Sequence, residues 1–170
     1  AHPKGGQRLI RMSILRNLPV ICGHRQIGLL QNASLNDAQN QVLALIVSCG
    51  IRGKRIILPE NIEAIGQTFI MARNVQRYKR TQETTPCRFV RDTSGLLCGR
   101  VTDYAIDEKT FAVQAVEMIP GYLDQERRRR LWVFAYQRSE NHAEELVVPA
   151  CLGSGLIFAR EGNEECAYPR

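Results

Sequence analysis

The sequence predicts an all-β protein made of two tandem small β-barrels related by internal duplication, and three observations lead there. Gly28 and Gly99, Val42 and Val113, Ala44 and Ala115, and Gly50 and Gly121 are each 71 positions apart (99 − 28 = 71), the constant offset of one unit used twice. Short alternating or apolar runs are separated by turn chemistry at roughly 8–12-residue spacing, the pattern of small sandwiches and barrels. No stretch sustains a helical period.

In the first unit Gly23-His24 is a turn that leads into a strand over Ile27–Leu35, which mixes apolar and polar residues as a half-buried strand does. Asn36 to Asn40 supplies the return, since Asn and Asp accept left-handed backbone and bond it with their side chains. Val42–Val47 is a continuous apolar strand, and Gly50 closes the hairpin. Ile56-Ile57-Leu58-Pro59 follows, then a short segment over Asn61–Gly66 and a final strand over Thr68–Ala72. The second unit repeats the plan: a turn at Arg91–Gly95, strands at Leu97–Ile106 and Phe111–Ile119, and an ending at Leu156–Ala159.

Leu146-Val147-Val148-Pro149 matches Ile56–Pro59 at an offset of 90, which predicts 19 additional residues in the second unit (90 − 71 = 19). The expected boundaries are 8–75 for the first barrel, 76–86 for a basic linker, 87–160 for the second barrel and 161–170 for a tail. The expected insert is a hairpin at about 122–145, with Ser139–His142 at its tip. Within it, Arg127–Arg130 precede Leu131–Tyr136, where alternation puts Trp132, Phe134 and Tyr136 on one core-facing side. Units of about 75 residues bury only some 60–65% of their unfolded surface, so the halves are expected to lean on one another or on a partner.

The net charge of +6 is unevenly distributed. Residues 1–75 hold nine Lys/Arg against three Asp/Glu, 76–86 three against one, and 87–170 eleven against thirteen. A basic first half attracts RNA, acidic protein surfaces or anionic lipid, all with strong salt dependence. The six cysteines (22, 49, 87, 98, 151 and 166) follow no disulfide framework and sit beside apolar runs, as reduced thiols of a cytoplasmic protein do. No apolar run reaches the ~20 residues that span a bilayer, and Ala1 to Arg16 has no signal-peptide apolar region.

Leu18-Pro19-Val20, Ile27-Gly28, Val42–Val47, Gly53-Lys54-Arg55 and Ile56–Pro59 with Ile62, then Val90, Asp92, Gly99–Asp103, Val113–Met118 and Val147–Pro149, together resemble the PRC-barrel family. That fold is shared by the photosynthetic reaction centre H subunit and the C-terminal domain of the ribosome maturation factor. The resemblance implies non-enzymatic barrels that dock other proteins. The chain is expected to depart from both, with neither the N-terminal domain expected of the maturation factor nor the membrane helix expected of the H subunit, so only the fold and a binding role carry over.

No reactive constellation emerges. Asp92-Thr93-Ser94-Gly95 resembles the loop of aspartic proteases, but that chemistry needs two carboxylates sharing a proton, and the corresponding Ile21–His24 holds none. Cys22 and His24 fall short of the three or four ligands zinc requires, and neither a Cys-His nucleophile scheme nor a glycine-rich phosphate loop is present. The expectation is therefore no cofactor, no metal and no catalysis. The contact residues expected for a partner are Arg52, Lys54, Arg55, Arg77, Lys79 and Arg80, with Arg73 nearby, and Arg127, Arg128, Arg129 and Arg130. The last four face local compensation from Asp124, Glu126, Glu140, Glu144 and Glu145. A protein is the first expectation for the partner, with RNA or a ribosomal precursor second and peripheral lipid contact a further option. From another class, a small-molecule sensor or enzyme would use a cleft between the barrels, lined by Tyr78, Cys87 and Tyr104.

Overall fold

The computed structural model describes residues 8–80, 85–120, 130–149 and 158–159. The chain opens with β1 (Leu9–Arg11) and one short helical turn, α1 (Met12–Leu15). The first unit then contributes β2 (Pro19–Cys22), β3 (Arg25–Leu35), β4 (Val42–Ser48), β5 (Lys54–Ile57), β6 (Ile62–Ile65), β7 (Ile70–Ala72) and β8 (Gln76–Arg77). The second contributes β9 (Phe89–Asp92), β10 (Leu97–Asp107), β11 (Val113–Pro120), β12 (Leu131–Val133), β13 (Gln137–Arg138), β14 (Glu145–Val148) and β15 (Phe158–Ala159). The two sheets, each curled into a half-barrel, run β6-β7-β2-β3-β4-β5-β8 and β13-β14-β9-β10-β11-β12-β15, the same order in each unit.

The duplication extends to individual ladder rungs. Leu29↔Ser48, Leu30↔Val47, Asn32↔Ile46, Ala33↔Leu45, Ser34↔Ala44 and Leu35↔Val42 in the first sheet reappear in the second as Arg100↔Ile119, Val101↔Met118, Asp103↔Glu117, Tyr104↔Val116, Ala105↔Ala115 and Ile106↔Val113. Both irregularities fall at equivalent places, between Leu30 and Asn32 and between Ser34 and Leu35 in one, Val101/Asp103 and Ala105/Ile106 in the other. Bulges bend and twist a strand, which lets a long strand curl around its own core. Gly28 and Gly99 share one steric reason: a Cβ there would press into the backbone carbonyl of Ser48 or of Ile119 on the neighbouring strand.

Four expectations need correction. The counterpart of Leu146–Val148 is Ile70–Ala72, because β14 runs parallel to β9 as β7 runs parallel to β2. Ile56–Leu58 resembles that segment only because an apolar strand followed by Pro is a common way to end pairing. Leu131–Val133 is therefore not an inserted strand but the equivalent of β5: Val133 faces Val116 as Ile57 faces Leu45. The offset there is 76 (133 − 57), so the β11–β12 connection is five residues longer than its counterpart (76 − 71 = 5), not 19. Gln76–Arg77, assigned by the sequence to the linker, is the strand that pairs with β5, and Thr68–Ala72 is not the final strand. Leu9–Arg11, expected in the first barrel, pairs antiparallel with Asp107–Ala105 of the second sheet. The tail at 161–170, and Arg127–Arg129, lie outside the described residues.

The halves meet around an internal two-fold relation. The Val42 N–H donates to Phe111 O at 2.9 Å, and the Val113 N–H donates to Asn40 O at 2.8 Å; each bond is the other shifted by 71. Between them Gln41 pairs with Ala112, its own equivalent in the other unit. One apolar core runs through both halves, joining Val20, Leu30, Leu45, Ile57 and Ile70 to Ile106, Phe111, Val113, Val116 and Leu146. Units of this size bury a modest share of their surface alone, and the common core adds burial to both.

A buried ionic cluster fixes β1 on its foreign sheet. Arg11 donates to Asp103 Oδ2 at 3.1 Å and to Glu117 Oε2 at 2.7 Å, and its guanidinium lies 5.3 Å from the Trp132 ring centroid. Asp103 also accepts from the Ser13 N–H at 3.0 Å and from its hydroxyl, while Thr102 donates to Glu117 Oε1 at 2.8 Å. The equivalents of the two acids in the first unit are Asn32 and Ile46, so the buried charge belongs to one half alone. Trp132 packs with Ala105 and Ala115. β12 ends at Val133, which leaves Phe134 exposed, and Tyr136 packs against the core from a separate segment.

Candidate functional site

The β4–β5 connection builds a basic face. After β4 a 3-10 turn, Gly50–Arg52, reverses the chain, and Gly53 at φ 79° returns it into β5 in a conformation L side chains rarely adopt. This places Ile51 at the apex, fully exposed, beside Arg52. Lys54 and Arg55 then follow in β5. Pairing of β5 with β8 sets Arg55 directly opposite Arg77. Like charges facing each other on a ladder cost stability, so the fold does not require this pair.

Two open depressions share this surface. One of ≈ 460 Å³ is lined by Arg52, Lys54, Arg55, Arg77 and Tyr78, and the other, of ≈ 610 Å³, by Arg25, Arg52 and Arg55 with Gln26 and Val75. Lys54 Nζ lies 5.3 Å from the Tyr78 ring centroid, over its face. Among the described residues no carboxylate pairs with Arg25, Arg52, Arg55 or Arg77, whereas Arg73 pairs with Glu63 at 3.5 Å, Arg91 with Glu145 at 2.9 Å and Arg138 with Asp37 at 3.3 Å. Among the described residues, the arginines without a carboxylate partner are thus concentrated on the first unit. At the equivalent rung of the second unit Leu131 stands for Arg55, and at the 71-residue offset Leu96 stands for Arg25.

Of the residues expected from sequence, four converge here: Arg52, Lys54, Arg55 and Arg77. Lys79 and Arg80 are exposed just beyond β8 and line neither depression. Arg130, the one described member of the second cluster, reaches Glu117 Oε1 at 3.6 Å, while Glu144 pairs with Arg88 and Glu145 with Arg91. Sequence reasoning missed Arg25, which comes from the β2–β3 hairpin and joins the face only through the sheet.

The other candidate chemistry resolves into structure. Asp92 Oδ1 accepts from the Ser94 N–H at 2.9 Å, the Ser94 hydroxyl at 2.6 Å and the Leu96 N–H at 2.9 Å, a side-chain-closed turn. The Ser94 hydroxyl, helped by these backbone N–H groups, holds its carboxyl below the usual range. Cys87 is buried and burial raises its thiol pKa, the reverse of what a nucleophile needs. Tyr104 and Tyr136 are likewise pushed well above the ordinary phenol value by burial. Tyr78 belongs to the basic face, apart from Tyr104 and Cys87, which touch through a long 3.5 Å bond from the Tyr104 hydroxyl to Cys87 O. Among the described residues no group of three potential ligands could hold a metal, and no helix is long and apolar enough to cross a membrane. A groove of ≈ 580 Å³ beside Gly28 adjoins the larger depression, sharing Gln26, Ile27 and Cys49 with it, and has no charged lining among the described residues. No family model matches the chain, and no curated protein matches it.

Proposed function

We propose that this chain is a non-enzymatic, cytoplasmic docking protein that binds an acidic protein surface through the face formed by Arg25, Arg52, Lys54, Arg55, Arg77 and Tyr78. One observation carries the reading: Arg55 and Arg77 face each other, with no carboxylate partner among the described residues, in a sheet that would be more stable with one of them changed. The fully exposed Ile51 beside Arg52 favours a protein over a polyanion, because arginine, tyrosine and an apolar anchor together make a protein hot spot. The resemblance to PRC barrels, which dock other proteins, supports the same role. Cysteines without a disulfide framework support the cytoplasmic placement.

The test is affinity capture from native cells with the full chain and with Arg55→Glu/Arg77→Glu. A protein retained by the first, lost with the second and released by salt is the expected result. Identical capture by both would remove the face from consideration. Loss of capture on nuclease treatment would replace the protein with RNA, and flotation of the purified chain with anionic liposomes would replace it with a membrane surface.

A further inference from the structure

A cavity of ≈ 250 Å³ lies between the two units and shares no residue with the basic face. The first unit lines it with Asn32, Gln39 and Ile46, the second with Tyr104 and Ile106, and Arg16 stands at its edge. Gln39 is wholly buried, with φ 58°. Its Nε2 donates to Asn36 O at 3.2 Å, which fixes the amide's orientation, and its backbone carbonyl accepts from the Tyr136 hydroxyl at 2.9 Å. Its Oε1 is buried without a hydrogen-bond partner. A buried carbonyl left without a donor is costly unless something supplies one.

The surrounding groups define what that would be. Arg16 has no carboxylate partner among the described residues and reaches only Asn32 Oδ1, at 3.5 Å. Among the described residues no acidic side chain lines the cavity, so an ammonium would enter without a counter-charge. Ile46 and Ile106 offer apolar wall. The space equals about eight waters' share of liquid volume.

We propose that this cavity binds a small hydroxycarboxylate. Its carboxylate pairs with Arg16, its neutral hydroxyl donates to Gln39 Oε1, and its short carbon chain lies on Ile46 and Ile106. The test uses 3-hydroxybutyrate, butyrate and 3-aminobutyrate, which differ only at the donor, titrated into the full-length protein and followed through backbone amide resonances. The expected result is movement at Asn32, Gln39 and Tyr104 with 3-hydroxybutyrate, affinity about tenfold weaker for butyrate, and weaker again for the ammonium analogue. Gln39→Met should erase the preference for the hydroxyl, and Arg16→Met should weaken hydroxy and deoxy forms alike. Ile46→Phe, which narrows the cavity from its apolar side, should abolish binding without touching a polar group. No movement with any probe up to about 50 mM, equal affinity for butyrate, or a preference that survives Gln39→Met would each overturn the proposal and leave the cavity to ordered water.

Discussion

Arg11→Met would remove the guanidinium that bridges Asp103 and Glu117, whose side chains are only 3% and 2% exposed. Asp103 would keep the Ser13 and Tyr104 N–H groups and the Ser13 hydroxyl. Glu117 would keep the Thr102 hydroxyl and a longer contact to Arg130, itself largely exposed. Breaking a buried pair from one side costs about 3–5 kcal/mol, and the surviving hydrogen bonds place this case near the lower end, at about 3 kcal/mol. With a urea m-value of about 2 kcal/mol/M, the unfolding midpoint should fall by about 1.5 M. The first unit supplies the control. Adding its own residues at the equivalent rungs, as in Arg11→Met/Asp103→Asn/Glu117→Ile, removes the stranded charge and should restore at least about 2 kcal/mol. A single variant within about 0.3 M of the parent, or a triple variant no more stable than the single, would show that the cluster is not the fastening described.

The remaining predictions concern the repeat, the basic face and the acid limb. Gly28→Ala and Gly99→Ala each push a Cβ into a neighbouring backbone carbonyl, so both should lower stability by about 2–3 kcal/mol and by similar amounts, measured by urea melts. Arg77→Glu turns the like pair with Arg55 into an opposite one, so it should raise stability by about 0.5 kcal/mol while lowering partner capture; a variant both less stable and still capturing would contradict the account. Asp92 is held below its ordinary pKa in the folded state, so its contribution is present above the unfolded carboxyl value and is lost as pH falls through the folded one. Between neutral pH and pH 3 the parent should therefore lose more stability than Asp92→Asn, read as the difference in urea midpoints.

The parts of this fold visible in the sequence are those written locally. Gly28 and Gly99, the Asn36 turn and the long apolar β4 and β11 are local signals, and they recur at one offset. Pairings between distant strands leave no such trace, so the parallel contacts β2–β7 and β9–β14 were invisible, and Leu146–Val148 was matched to the wrong partner. β8 and β13, at two residues each, are too short for any alternation to register. In the site, the run Arg52–Arg55 and Arg77 could be read as charge density, while Arg25 required the sheet to bring it there. The ionic cluster did leave a signal: at the 71-residue offset Asn32 becomes Asp103 and Ile46 becomes Glu117, acids where the sister unit needs none. Gln39 left none, since a lone glutamine in a turn carries no mark of burial.

The placement of Leu9–Arg11 on the second sheet imposes an order on synthesis. Its nearest ladder partner, Ala105, lies 94 residues downstream of Arg11 (105 − 11 = 94). At ribosomal speeds of about 5–20 residues per second, the emerging chain carries this segment without its mate for roughly 5–20 s. During that interval Leu9 and Ile10, both buried in the finished molecule, offer a sticky end to any passing strand. A segment made 94 residues ahead of its mate is thus among the last to find its place.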